Sequence, residues 1–250
     1  MVIKGQYAYV AYLRVDYAQT RITRINLEDY SLTHLILNTS NSSGFTNGLV
    51  ADNKFLYAWS AYGTTNYIRK INLDTFTLHS TSVIGPTGQS IYQAGITKDS
   101  VEVNNYIYTA LHGSYPSKYL VRVSKEDTQN VSYISPLFSH ADHQIYCIRY
   151  SYPFIYYTAS TDTYDSEKGT SFGAYNPVTG ANYLFEDIFE ESLRLFEIVD
   201  GVLYVTADGG FPVTTGTGFL YAIPLTDLKV VEQITHVQDD TFAARDLAKK

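Results

Sequence analysis

The side chains best suited to hold a metal fall in the run "SHADHQ". It carries His140, Asp142 and His143, with His112 upstream. Imidazole nitrogen and carboxylate oxygen together suit zinc or another transition metal. Solvated loop histidines are the plainer account of the same residues. The expectation is a chain without a cofactor, in which His112, His140, Asp142 and His143 are the groups that would take a divalent metal. A second run, "STDTYDSEKGT", offers the oxygen ligands Asp162, Asp165 and Glu167 but lacks the ligand order of an EF-hand loop. Glu186, Asp187, Glu190, Glu191, Asp239 and Asp240 form an acidic set that would attract a basic partner or a cation at long range. No G-x-S-x-G, H-E-x-x-H or phosphate-cradling glycine loop occurs. Cys147 is the single cysteine, so no disulfide can form within the chain.

The elements that must carry these groups are legible as a repeat. "FLY" (55–57) has counterparts in "YAY" (7–9), "YIY" (106–108), "FIY" (154–156) and "VLY" (202–204). Each ends on a tyrosine, giving Tyr9, Tyr57, Tyr108, Tyr156 and Tyr204 at intervals of 48, 51, 48 and 48 residues. After each tyrosine comes a strand, a turn rich in Asn, Asp, Pro or Gly, and another strand, as in "ITRINLEDYSL" and "IRKINLDTFTL". A further strand precedes four of them, as in "NGLVADN" before Tyr57. Each unit therefore predicts four short strands in roughly 50 residues, the size of a propeller blade. "MVIKG" is too brief for a full leading strand before Tyr9, and "DTFAARDLAKK" (240–250) resembles "FTNGLVADNK". A strand at about 240–248 is therefore expected to complete the first unit and close the ring, which removes exposed edges.

Composition agrees with an all-β chain. There are 24 tyrosines, 17% charged residues and 45% hydrophobic residues among 250. The formal charge of −7 argues against nucleic acid as ligand. No run is apolar enough for a transmembrane helix, and the N-terminus lacks a secretory layout. The sole tryptophan, Trp59, stands where the other units carry Ala11, Ala110, Thr158 and Thr206. A wider gap between units is the expected reason for the indole.

These units resemble the β-propeller superfamily, most closely its YVTN or YncE-like blades, in a five-bladed arrangement that covers residues 1–250 as a single domain. The resemblance implies four-stranded antiparallel blades. It also implies that ligands bind at the end where the inter-blade loops gather with those joining second to third strands. Glycoside hydrolases of the arabinanase type share the five-bladed form and draw acids from the leading strands. At the matching ends this chain has Asn47, Gln93, Gln144 and Arg194, with Asp240 on the closing segment. Amides cannot serve as general acid or base. Glu197 has no carboxylate partner there and is expected to pair with Arg149 or Arg245.

The expectation is a non-catalytic binding or structural module. Asn47, Gln93, Gln144, Arg194 and Asp240 are its candidate ligand-binding residues. Its partner would be a protein or glycan at the loop-rich face, with neither nucleic acid nor membrane insertion involved. A place in a larger particle, such as a virion or cell surface, is favoured over the cytoplasm. The contrasting readings are a glycan-active hydrolase or lyase and a metal-stabilised scaffold.

Overall fold

The computed structural model describes all residues except 15–18, 38–44, 63–64, 85–99, 111–119, 135–142, 162–170, 186–191, 209–217 and 236–250. Its strands form five successive antiparallel sheets, the blades of a five-bladed β-propeller. Sheet one contains β1 (Val2–Lys4), β2 (Tyr7–Arg14), β3 (Gln19–Asn26) and β4 (Leu32–Ile36). Sheet two contains β5 (Phe45–Ala51), β6 (Phe55–Tyr62), β7 (Thr65–Asn72) and β8 (Thr77–Ile84). Sheet three contains β9 (Ser100–Val103), β10 (Tyr106–Ala110), β11 (Leu120–Ser124) and β12 (Val131–Ile134). Sheet four is built from β13 (His143–Ser151), β14 (Phe154–Thr161), β15 (Ser171–Tyr175) and β16 (Ala181–Phe185). Sheet five has β17 (Ser192–Val199), β18 (Val202–Asp208) and β19 (Gly218–Pro224). The last strand, β20 (Val230–Thr235), pairs with β16 and gives sheet four a fifth strand. Among the described residues no helix is long and apolar enough to cross a membrane.

Alternation along each strand gives every sheet two faces. One carries the repeat tyrosine; the reverse face carries its two neighbours. Tyr9 and Ile22 pack against Leu56, Ala58 and Ile71 of sheet two. Tyr57, Trp59 and Ile68 meet Ile107, Val121 and Val123 of sheet three. Tyr108 and Leu120 meet Ile155, Tyr157 and Tyr175 of sheet four. Tyr156, Phe172 and Ala174 meet Phe196, Leu203 and Val205 of sheet five. The rule is the same four times: the tyrosine face of one sheet covers the reverse face of the next. The leading strands follow one another in space, β1 to β5, β5 to β9, β9 to β13 and β13 to β17. Closure between sheet five and sheet one is not seen among the described residues.

The turns show why the hairpins form. Asn72 Oδ1 accepts hydrogen bonds from the backbone N–H of Asp74 (2.9 Å) and Thr75 (3.0 Å). Asn176 does the same for Val178 and Thr179. Four residues after the asparagines of sheets one, two and four come Tyr30, Phe76 and Gly180, all at positive φ. The asparagine side chain thus nucleates a turn that a left-handed residue completes. Sheet five has Pro224 in that place, without a side-chain acceptor, followed by a short 3-10 turn at Leu225–Asp227. The hairpin is not made, and the next strand leaves for sheet four.

Sheet one differs from the sequence expectation as well. Val2–Lys4 is enough to pair with β2, Val2 lying opposite Tyr9, so the first blade has its own leading strand. The segment at 240–248, expected in that role, lies outside the described residues. Gly173 is required by packing: a methyl group there would come within 2.3 Å of Tyr157 Cζ. Tyr157 is fully buried and donates from its hydroxyl to Asn182 Oδ1 at 2.9 Å.

Candidate functional site

Leading strands β5, β13 and β17 share an irregularity. Their pairing with the following strand slips by one residue between Thr46 and Gly48, between Ile145 and Cys147, and between Leu193 and Leu195. The residues left over are Asn47, Tyr146 and Arg194, each ten positions before its repeat tyrosine. A β-bulge bends its strand and re-aims one residue, and bulges concentrate beside functional sites. These three occupy one row, near the ends of the leading strands that face the inter-sheet connections. Two of the five expected ligand-binding residues, Asn47 and Arg194, belong to it. Gln144 lies on β13 opposite Ser160, two positions before the row, where Tyr146 stands instead. Gln93 and Asp240 lie outside the described residues. Counting back ten residues from each tyrosine would have found Tyr146 in the sequence.

Of the metal candidates, His143 begins β13 opposite Thr161. His112, His140 and Asp142 lie outside the described residues. So do Asp162, Asp165 and Glu167, and the acidic set at 186–191 and 239–240. Among the described residues no group of three or more His, Cys, Asp and Glu side chains is gathered. Glu197, the remaining carboxylate weighed for catalysis, accepts a hydrogen bond from Arg149 Nε at 2.8 Å. This is one of the two pairings the sequence suggested.

The opposite end of the sheets carries a different set of charges. Opposite the repeat tyrosine on the third strand stand Arg24, Lys70 and Arg122 in sheets one to three. Sheets four and five have Ala174 and Ala222 there. Each cation lies over the aromatic ring two residues before the tyrosine: Arg24 over Tyr7, Lys70 over Phe55 and Arg122 over Tyr106, at 4.2 to 4.8 Å from the centroid. Arg24 donates to the Leu73 carbonyl at 3.3 Å, and Lys70 to the Lys125 carbonyl at 2.5 Å. Those carbonyls occupy the same place in the following sheets, so Arg24 and Lys70 are inter-sheet ties, whereas Arg122 donates to Ser132 Oγ within its own sheet at 3.2 Å. Lys125 in turn binds Glu102 at 2.5 Å and approaches Asp52 at 3.9 Å, while Tyr57 donates to Asp52 Oδ2. Burial holds the Lys70 ammonium below the ordinary lysine value, against the pull of Asp52. This network joins sheets two and three. The sequence reading passed over it, although a basic residue within "ITRIN", "IRKIN" and "LVRVS" was its signal.

Trp59 is buried in the core between sheets two and three and lies opposite Gly48 in the pairing. The same place is taken by Cys147 opposite Thr158 and Leu195 opposite Thr206. A large ring opposite no side chain fills the space, while its buried Nε1 finds no hydrogen-bond partner among the described residues.

No family model matches the sequence, and no curated protein matches it. Solved structures do match the chain. One is the computationally designed Ika4 protein, at 12% identity and a TM-score of 0.45, covering 72% of this chain and 92% of that one. A likeness that loose carries no argument about this chain's function.

Proposed function

We propose that the chain is a non-catalytic binding module that engages a protein or glycan through the end of its sheets where the inter-sheet connections gather. In the same reading it serves within a larger assembly, such as a virion or a cell surface. The observation that supports the reading is the bulge row. Three of five leading strands break their ladder at one shared register, and the residues there are an amide, a phenol and a guanidinium. Such groups recognise carbonyl, hydroxyl and carboxylate oxygens by hydrogen bonding. None of the three is a carboxylate, and Glu197, which lies opposite Tyr204, is engaged by Arg149.

A glycan array, together with pull-down from particles and cell envelopes, tests the proposal. Wild-type protein is expected to retain a defined ligand, and the double variant Asn47→Ala, Arg194→Ala to lose it at least tenfold. Retention undiminished in the double variant would move the site elsewhere. Hydrolysis or elimination products from any arrayed glycan would overturn the non-catalytic reading.

A further inference from the structure

The three bulges of the leading strands have a second feature in common. Across the ladder from each, the second strand places a residue type that can form a side-chain hydrogen bond. Trp59 lies opposite Gly48, Thr158 opposite Cys147 and Thr206 opposite Leu195, in each case the residue just after the bulge. All three stand two positions after the repeat tyrosine. Sheets one and three carry Ala11 and Ala110 at that position, with no group to bond. There the described leading strand stops short of this level, at Val2 opposite Tyr9 and at Ser100 opposite Thr109. Among the described residues, then, a hydrogen-bonding side chain goes with each bulge and alanine goes with its absence.

Two of these groups are deeply enclosed. Trp59 is 5% exposed and Thr158 0%, and neither Trp59 Nε1 nor Thr158 Oγ1 has a hydrogen-bond partner among the described residues. A polar group in an apolar core is costly unless it is bonded. The bulge brings polar groups of its own to the same level. Its extra residue, Asn47 or Tyr146, is left out of the ladder, so the backbone N–H and C=O there also need partners. The strand bends at that point, which opens room beside the ladder. An enclosed side-chain group beside unpaired backbone is the setting in which an internal water finds the roughly two to four polar neighbours it requires.

We propose that the joint between sheets two and three and the joint between sheets four and five each bind one ordered water at the bulge level. In the first, the water accepts from Trp59 Nε1 and bonds the backbone of the Asn47 bulge. In the second, it bonds Thr158 Oγ1 and the backbone of the Tyr146 bulge. An indole N–H only donates, whereas a hydroxyl both donates and accepts. Water serves either, which explains how two unlike side chains fill one place of the repeat. The waters replace ladder bonds lost at the bulge, so Trp59 and Thr158 help hold the row in register. Neither water depends on the binding reading, because the bulges are present without a ligand.

Trp59 is the sole tryptophan, so its indole N–H gives a single resonance. A rotating-frame Overhauser measurement on the ligand-free chain should show that proton, and the Thr158 methyl protons, in contact with a long-lived water. The sign of the signal separates contact from proton exchange. An indole proton without water contact, whether unbonded or bonded to a residue of the chain, would overturn the site between sheets two and three. A Thr158 methyl group without it would overturn the other. Water-oxygen relaxation dispersion then counts the long-lived internal waters. Thr158→Val keeps the shape and loses the hydroxyl, so it should lower the count by one, as should Trp59→Phe, whereas Thr158→Ser should keep it. An unchanged count in a Thr158→Val chain with wild-type circular dichroism would remove the hydroxyl from the site. Loss in Thr158→Ser as well would assign the effect to packing and sink the hydroxyl's role. No ligand enters these measurements, so a negative glycan array leaves their outcome untouched.

Discussion

Tyr108 and Tyr204 are the same residue of the repeat, yet their surroundings are opposite. Tyr9, Tyr57, Tyr108 and Tyr156 are at most 7% exposed, whereas Tyr204 is 40% exposed. Its own sheet does not explain the difference: β17, β18 and β19 pair in the same antiparallel way as their counterparts. Among the described residues, what Tyr204 lacks is a following sheet. Burial of this tyrosine is therefore a property of the joint between two units. Stability in such arrays resides in neighbour interfaces as much as in the units themselves.

The interior joints should fail together in alkali. Burial raises the phenols of Tyr9, Tyr57, Tyr108, Tyr156 and Tyr175 above the ordinary value of 10.0; beside Tyr57, Asp52 adds to the effect. Above that value the unfolded chain gives up these protons while the folded chain keeps them. The folded state then binds more protons, so stability falls as pH rises past 10.0 and is unaffected well below it. Denaturant midpoints should drop steeply between about pH 9 and about pH 11. Phenolate absorbance should rise in two stages, the later one coinciding with unfolding. Complete phenolate formation in a chain that keeps its circular dichroism would show that the joints admit water, and the contrast with Tyr204 would collapse.

A single substitution sharpens the contrast residue by residue. Tyr108→Ala opens a cavity between sheets three and four and should cost about 3–5 kcal/mol in equilibrium unfolding, the range for large aromatic truncations in cores. Tyr204→Ala, measured at high dilution, should stay within about 0.5 kcal/mol, as at other exposed positions. Equal costs at the two sites would mean that Tyr204 is covered in solution.

The five units were legible because the joint imposes one demand on each of them. An aromatic residue must stand at a fixed point of the second strand, and the even spacing of Tyr9 to Tyr204 records it. Turn asparagines at Asn26, Asn72 and Asn176 were legible for the same reason, since their side chains do local work. The partner of β20 was not, because strand pairing at an outer edge is decided by a turn, and Pro224 differs from its counterparts by one side chain. Asn47 and Arg194 were found as ends of leading strands, but their shared row was not, because a bulge leaves no mark in composition. The cations Arg24, Lys70 and Arg122 were not legible as a set. They are also spaced with the repeat, and the role of Arg24 and Lys70 shows only when the carbonyl each reaches is known.

The smallest expected effect concerns the joint between sheets four and five, where a polar contact lies beside the apolar core. Arg149 spans from β13 to Glu197 on β17, and its Nη1 also donates to the Ile148 carbonyl at 2.8 Å. The side chains are 25% and 59% exposed. Water therefore screens the pair, and holding two long side chains in place offsets much of the attraction. A double-mutant cycle with Arg149→Gln and Glu197→Gln should give a coupling of about 0.2–1 kcal/mol. It should shrink as salt shortens the screening length to roughly 8–10 Å. The joint would then owe its strength to Tyr156, Phe172, Phe196 and Leu203, as the other three do to their own apolar pairs. A coupling above about 2 kcal/mol, insensitive to salt, would instead mark a desolvated pair. That result would make the inner edge between β13 and β17 a place that excludes water, and joint four-five would no longer be an example of the common rule.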